Sequence, residues 1–269
     1  KLMCKVLKIN RSTVYKIFNT LMSLREIDRL DLESRIIDLY QAFDGIYGAP
    51  KLQKELLKQG YYASIKRVSR YMKRLGLRSI ITKKYNPGSK SKAPKDKITH
   101  MNREFGTSMT NEKWVMDITY IRTIYNGWTY LASVMDLHSK MIIGYCYSKR
   151  MTKEIVMESI KQAIYKTKDT KGIIVQSDLG SQYLSYEVEE LLSKHGIIHS
   201  YSRKGNPADN SPIEAFHSII KREYIYRQIF KNYEEAKLGI FRYIEGFYNR
   251  KRIHGSIDYK TPIEVYYLK

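Results

Sequence analysis

Asp117 interrupts an apolar run, Trp114-Val115-Met116-Asp117-Ile118-Thr119-Tyr120-Ile121, that otherwise reads as a strand. Asp178 follows a second apolar run, Ile173-Ile174-Val175, in the string Gln176-Ser177-Asp178-Leu179-Gly180-Ser181-Gln182-Tyr183. Glu214 opens a predicted helix in Asn206-Pro207-Ala208-Asp209-Asn210-Ser211-Pro212-Ile213-Glu214. An ionised carboxylate at a sheet centre is expensive unless something cationic compensates it. Three such groups, if they converge, make a divalent-metal site. In a paired-metal site two ions about 3.5–4 Å apart hold the attacking and leaving oxygens of a phosphodiester displacement. Hard oxygen donors suit Mg²⁺, which keeps several waters and takes few protein carboxylates.

Two of the acids also have a purely local reading. Asp in Ser-Asp-Leu-Gly is a common turn former. Ser211-Pro212-Ile213-Glu214 fits a capping box with proline at the first helical position. Asp117 in mid-strand has no comparable structural role. The separation of Asp178 and Glu214 is 35 intervening residues. With the strings WVMDITY, SDLGSQY and GNPADNSPIEAFHSIIK and the late YNRKRIH (Tyr248 to His254), the chain resembles the DDE transposases and retroviral integrases, and within them the second-frame product of the bacterial insertion-sequence-three family. The resemblance runs from about Tyr47 to the C-terminus. It implies an α/β ribonuclease-H-like integrase core, a mixed five-stranded sheet with helices, preceded by small all-α helix-turn-helix DNA-binding units. It also implies that Asp117 bridges two Mg²⁺ ions, with Mn²⁺ as a substitute, while Asp178 and Glu214 each hold one side. Two positions depart from the pattern: Gln176 stands where many relatives have His, and Phe216-His217 follows Glu-x where they often have an aromatic.

Stepping outward, the elements that must position these acids are legible from Trp114 onward. Asn126-Gly127 between apolar runs predicts a two-residue hairpin joining Trp114–Tyr125 to Trp128–Asp136. Lys140–Ser148 follows as a third strand, then a helix capped by Thr152 and running to about Thr167. Strand Ile173–Val175, helix Tyr186–Lys194, strand Ile197–Tyr201 and the helix of Glu214 complete the order. An amphipathic helix, Tyr233–Asn249, comes last.

The 269 residues suggest about two domains. Lys plus Arg number 48 against 27 Asp plus Glu, and the excess is uneven: 23 basic and 8 acidic side chains in residues 1–97, 25 and 19 in residues 98–269. A basic front on a more balanced back points to polyanion binding ahead of chemistry. The expected division is a partial helix-turn-helix in 1–30, a helical DNA-binding domain in 31–82, a basic linker in 83–97, the catalytic core in 98–232 and a C-terminal helix with a basic tail in 233–269. Cys4 and Cys146 lack metal-ligand spacing, so no zinc module of the retroviral kind is visible. With no apolar stretch of about 18 residues and no signal peptide, a cytoplasmic protein is expected. Residue 1 is Lys, which suggests a trimmed chain or a fragment; the resemblance implies fusion to, or pairing with, an upstream-frame DNA-binding protein.

Candidate DNA contacts are Arg11, Ser12 and Thr13 on an early helix, and Lys66, Arg67, Arg70 and Lys73 on the helix capped by Ser64. Those basic side chains surround apolar Ile65, Val68, Met72 and Leu75, giving one buried stripe and one face toward phosphates; an ordinary solvated face is the alternative. Lys221, seven residues after Glu214, shares its helical face and with Arg222 forms either a phosphate contact or a solvated pair. Asn210 and Gln182 position DNA or water, or bond locally in turns. Arg250 and Arg252 follow the last predicted helix as phosphate ligands. The expected partners are double-stranded DNA, both terminal inverted repeats and target, and a second copy of the chain in a homodimer or larger assembly. The readings weighed against a transposase are a ribonuclease-H-type nuclease, which has no need of the basic front, and a domesticated DNA-binding regulator with a dead core, which has no need of the acids.

Overall fold

The computed structural model describes residues 2–6, 8–19, 22–81, 101, 104–203 and 207–268. The chain divides into two compact units, Lys1–Thr82 and Lys83–Lys269. The expected linker 83–97 lies outside the described residues.

The front unit is helical: α1 (Leu2–Val6), α2 (Arg11–Asn19), α3 (Leu24–Ala42), α4 (Ala49–Lys58) and α5 (Ile65–Arg74). Lys8 takes a left-handed backbone in the turn between α1 and α2. The boundary expected at residues 30 and 31 falls inside one continuous helix, α3. Ser23 caps it by accepting from Glu26 N, and the ion pairs Glu26–Arg29 and Asp31–Arg35 at helical spacing support its highly charged first turns, which extend the helical spacing of Leu32 to Ala42 toward the N-terminus. Leu32, Ile36, Leu52, Leu56 and Val68 form the unit's fully buried core. Ser64 caps α5 as expected, accepting from Arg67 N at 3.2 Å.

The second unit is built on five strands, β1 (Lys113–Thr123), β2 (Gly127–Asp136), β3 (Ile142–Ser148), β4 (Ile174–Ser177) and β5 (Ile198–Tyr201). Their order in the sheet is β3-β2-β1-β4-β5. The first three run antiparallel, and β4 and β5 join parallel to β1. The hairpin turns where the sequence places it, with Gly127 at φ +66°. Helices α6 (Lys153–Lys166), α7 (Tyr186–Lys194), α8 (Ser211–Glu223), α9 (Tyr233–Phe241) and α10 (Pro262–Tyr267) complete the unit. This is the mixed sheet and element order of the ribonuclease-H-like fold.

Both sheet faces are covered, which is why β1 carries an apolar run and not a clean alternation. Trp114, Met116, Ala132 and Val134 pack against α6 and α7 residues such as Ile160 and Val188. A Cβ at Gly144 on β3 would collide with the carbonyl of Ser159, so α6 lies directly on that strand. Val115, Ile121, Leu131 and Met135 pack on the other face against Ile213, Phe216 and Ile220 of α8. Ala236, Ile240, Ile244 and Tyr248 belong to the same cluster. The helical part of the expected C-terminal segment, residues 233–248, is therefore part of the core's hydrophobic layer. The expected helix Tyr233–Asn249 is present as α9 continuing into a π-helical segment, Arg242–Tyr248.

Candidate active site

Three elements bring the acids together. Asp117 lies in the middle of β1, opposite Ser133 of β2, with about a fifth of its side chain exposed. Strand β4 pairs parallel with β1 through Val115 and Gln176; continuing that register carries Asp178, one residue past the strand end, level with Asp117. Helix α8 begins beside the same point, because Asn210 Nδ2 donates to the carbonyl of Met116 at 3.0 Å. Glu214 follows in the first turn of α8. The site thus sits at the carboxyl end of a parallel strand, where open α/β sheets place ligands.

The charges of the three acids act on one another. Both Asp178 and Glu214 are held above the usual carboxylate range. For Asp178 the main cause is the protein packed around it, opposed by the Gly180 N–H donated to Oδ1 at 2.9 Å and reinforced by the charge of Asp117. For Glu214 burial again leads, followed by the charges of Asp117 and Asp178. Both residues nevertheless stand at the solvent-open rim, whereas Asp117 is the most enclosed of the three.

Glu214 has no hydrogen bond or ion pair among the described residues, and the capping box is absent. Asn210, not Ser211, is the residue that precedes the helix, and no side chain caps it. Helix α10 shows what the motif looks like when formed, with Thr261 and Glu264 each bonding the other's backbone. Among the described residues, the negative charge at Asp178 and Glu214 has no cationic partner of its own, a donor set and a charge that suit a hard divalent cation. Among the described residues, no three His, Cys, Asp or Glu side chains already stand close enough together to hold a metal.

One cation, Lys221, and three polar groups flank the acids. Lys221 is half-buried on α8; burial lowers its pKa and the charge of Asp117 raises it. His217, on the same helix, reaches Asp117 Oδ2 from Nδ1 at 3.2 Å. The Tyr183 hydroxyl is buried with no hydrogen-bond partner, and its pKa is pushed well up by burial and then by the charges of Asp117 and Asp178. Neither His217 nor Tyr183 stood out in the sequence as a site residue. Tyr183 was quoted only as the end of the SDLGSQY string, and the one signal for His217 was its place in the departure Phe216-His217. Gln182 lies near Asp178: a Cβ at Gly180 would meet Asp178 Oδ1 at 3.0 Å and Gln182 Oε1 at 3.1 Å.

Gln176, the other departure, is buried and structural. Its Nε2 donates to the Asp209 carbonyl at 2.9 Å and to Ser202 Oγ at 3.2 Å, and its Oε1 accepts from Ser200 Oγ at 2.8 Å. It thereby ties β4, which leads to Asp178, to the turn that leads to Glu214. Nearby, Ser177, His199 and Glu189 line up like a nucleophile triad, with His199 Nε2 2.9 Å from Ser177 Oγ and Nδ1 2.6 Å from Glu189 Oε1. Ser177 is fully buried, out of reach of any substrate, so the array is scaffold and not catalytic machinery.

Several expected DNA contacts are corrected. Arg252 is buried, and its guanidinium is held by Glu223 through Nε at 2.9 Å and Nη2 at 2.7 Å; removing one partner of such a pair typically costs about 3–5 kcal/mol. Asn210 is buried and bonded to β1. Arg67 is engaged by Asp28 and lies over the Tyr71 ring. Lys66, Arg70, Lys73, Arg11, Ser12, Thr13 and Arg250 are exposed. Arg222 donates from Nε to the Ser218 carbonyl at 3.1 Å.

Comparison with known proteins adds the family. Residues 107–207 and 195–262 match integrase core domains, and residues 26–85 match an HTH-like domain. Over 265 residues the chain is 35% identical to the transposase InsF for insertion sequence IS3A of Escherichia coli K12, covering 97% of this chain and 92% of that protein. It is 36% identical over 241 residues to the transposase for insertion sequence element IS904 of Lactococcus lactis IL1403, covering 89% and 95%. In fold, it is similar to a chain of the simian T-cell lymphotropic virus intasome, with a TM-score of 0.50 at 18% identity over 81% of this chain and 71% of that one.

Proposed function

Because the chain belongs to the IS3 family of insertion-sequence transposases, polynucleotidyl transferases that cleave DNA and transfer the strand, we propose that Asp117, Asp178 and Glu214 are the metal-holding carboxylates of that reaction. The observation that carries this reading is that three separate elements deliver three acids within reach of one another's charge, and that among the described residues Asp178 and Glu214 have no cation to answer theirs. We propose that Asp117, Asp178 and Glu214 would together hold two Mg²⁺ ions, replaceable by Mn²⁺. Bound metal supplies an activated nucleophile and neutralises charge on the phosphate.

The chain's own residues do the rest. The open rim at Asp178 and Glu214 admits a DNA backbone. Lys221, on the Glu214 face of α8 and within the field of Asp117, holds a phosphate beside the acids. Gln182 sits beside Asp178 as a further contact. The buried Gln176 network keeps the Asp178 turn and α8 in a constant relation without touching substrate. Exposed Lys66, Arg70 and Lys73 in the front unit bind phosphates of the element ends, joined by Arg11, Ser12, Thr13, Arg222 and Arg250. The domains act in chain order, residues 1–82 binding and the remainder cutting and joining. Assembly on paired ends is at least dimeric, with an upstream-frame DNA-binding protein as a further partner.

The test is a set of three variants, Asp117→Asn, Asp178→Asn and Glu214→Gln. Each should lower cleavage and strand transfer at least about a hundredfold, as loss of several kcal/mol of transition-state stabilisation requires, while gel shifts on the element's own ends stay near wild type. A variant that still cleaves at near the wild-type rate removes its residue from the site.

A further inference from the structure

Helix α8 presents more than Glu214 to Asp117. Residues 214, 217 and 221 fall at i, i+3 and i+7, one stripe of a helix. All three meet the same aspartate: Glu214 and Lys221 through its charge, His217 through the contact from Nδ1 to Oδ2 at 3.2 Å. His217 is buried among apolar neighbours, with Ile213, Phe216 and Ile220 of the same helix fully enclosed. A polar ring in such surroundings needs partners. Both of its partners belong to one cross-strand pair: Nδ1 reaches Asp117 on β1, and Nε2 lies 3.4 Å from Ser133 Oγ on β2, directly opposite Asp117 in the register.

The direction of the first bond follows from chemistry. A carboxylate oxygen only accepts, so the Nδ1–H donates to Asp117. The contact uses Oδ2 alone; Oδ1 has no hydrogen bond among the described residues. A carboxylate held by one oxygen, whose charge reaches two neighbouring acids and whose other oxygen has no hydrogen bond among the described residues, is a ligand partly oriented before its ion arrives. Partners of this kind turn first ligands and typically change metal affinity about 10–100-fold.

We infer that His217 is a positioning residue that holds Asp117 by Oδ2, with Ser133 steadying the ring, so that Oδ1 faces the site as a metal ligand. The inference rests on the reading of Asp117 as a ligand and names what orients it. A core histidine that merely fills space would serve equally well as any ring of similar size. A positioning histidine requires a donor at the Nδ1 location.

Three substitutions separate these cases. His217→Phe keeps the ring and its packing but loses both polar contacts. His217→Asn places a carboxamide N–H near the Nδ1 position, whereas His217→Gln extends its amide toward the Nε2 position and Ser133. Mn²⁺ binding to the full-length chain, followed by loss of the free-ion paramagnetic resonance signal, is the readout, with metal-free melting as the check on folding. The expected order is wild type, then Asn within a fewfold, then Gln and Phe about 10–100-fold weaker. Ser133→Ala, which leaves the Nδ1 donor in place, should weaken binding less than Phe and supplies a second measurement if Phe proves unstable. Asp117→Asn is run alongside. A wild-type chain that takes up no Mn²⁺, or an Asp117→Asn chain that binds like wild type, overturns the assignment of Asp117 and with it this inference. If Asp117→Asn loses binding while a folded His217→Phe binds as tightly as wild type, only the role of His217 falls. Equal weakening of Asn, Gln and Phe overturns it as well, since the donor position then makes no difference.

Discussion

Glu214 shows how a single residue can carry two local readings that only its neighbours separate. As a capping glutamate it should bond backbone N–H groups at the start of α8; in the structure it bonds none among the described residues and feels Asp117 and Asp178 instead. Its carboxyl is held above its ordinary range in the fold, so at neutral pH the ionised side chain works against the folded state. Glu214→Gln should therefore melt at a higher temperature than wild type without metal, and should gain less on addition of Mg²⁺, because ligand binding to the native state stabilises by mass action. Thermal melts of both proteins with and without Mg²⁺ check this. Equal metal-induced shifts would detach Glu214 from the metal. Arg252 gives the opposite lesson: a basic residue in a basic-looking tail, buried against Glu223, because the tail folds back into the core.

At the scale of elements, the relation between β4, β5 and α8 matters most, since it sets Asp178 against Glu214. Gln176 links β4 to the turn before α8, and His199 on β5 links β4 to Glu189 of α7. Burial depresses the pKa of His199, with Glu189 acting in the other direction. An unfolded chain takes up the proton at the ordinary histidine value of 6.5, before the folded one does. The contribution of His199 to stability is thus complete above that value and is lost as pH falls through the lower, folded one. Melting temperatures of wild type should drop more steeply between about pH 7 and pH 5 than those of His199→Gln, which keeps hydrogen-bonding capacity without the proton uptake. Parallel curves would mean that folding leaves the proton affinity of His199 unchanged.

At the scale of the whole molecule, charge and chemistry are carried by different units. The front unit holds the exposed Lys66, Arg70 and Lys73 on α5, while the acids lie in the unit built on the sheet. Phosphate neutralisation sets how fast affinity falls with salt, by about 0.9 in log–log slope for each contact on duplex DNA. Replacing Lys66, Arg70 and Lys73 together by Gln in the full chain should weaken binding to element ends and flatten that slope by about 2–3, with metal-dependent cleavage of saturated complexes little changed. An unaltered slope would move the phosphate contacts away from α5. No helix among the described residues is long and apolar enough to cross a membrane.

The sequence alone was enough for the element order, the hairpin at Asn126-Gly127, the cap at Ser64 and the choice of Asp117, Asp178 and Glu214 as candidate ligands. These depend on local signals: a run of apolar residues, a turn that needs a left-handed glycine, a hydroxyl before a helix, an acid where none is comfortable. The spacing of Leu32 to Ala42 also reads as helical, whereas the first turns of α3, from Leu24, do not, because closely spaced charges blur the apolar period there. What lay beyond local reading was decided by contacts between residues far apart in the chain. Asn249 bonds the backbone of Ile142 on β3 at 3.0 Å, and Glu223 neutralises Arg252; both draw the chain after α9 into the core. Likewise, His217 meets Asp117 across 100 positions of sequence. A side chain's environment is set by whatever the fold packs against it, so whether a basic residue meets phosphate or a buried acid, and whether a glutamate caps a helix or faces a metal, is decided only when the sheet and its helices close around it.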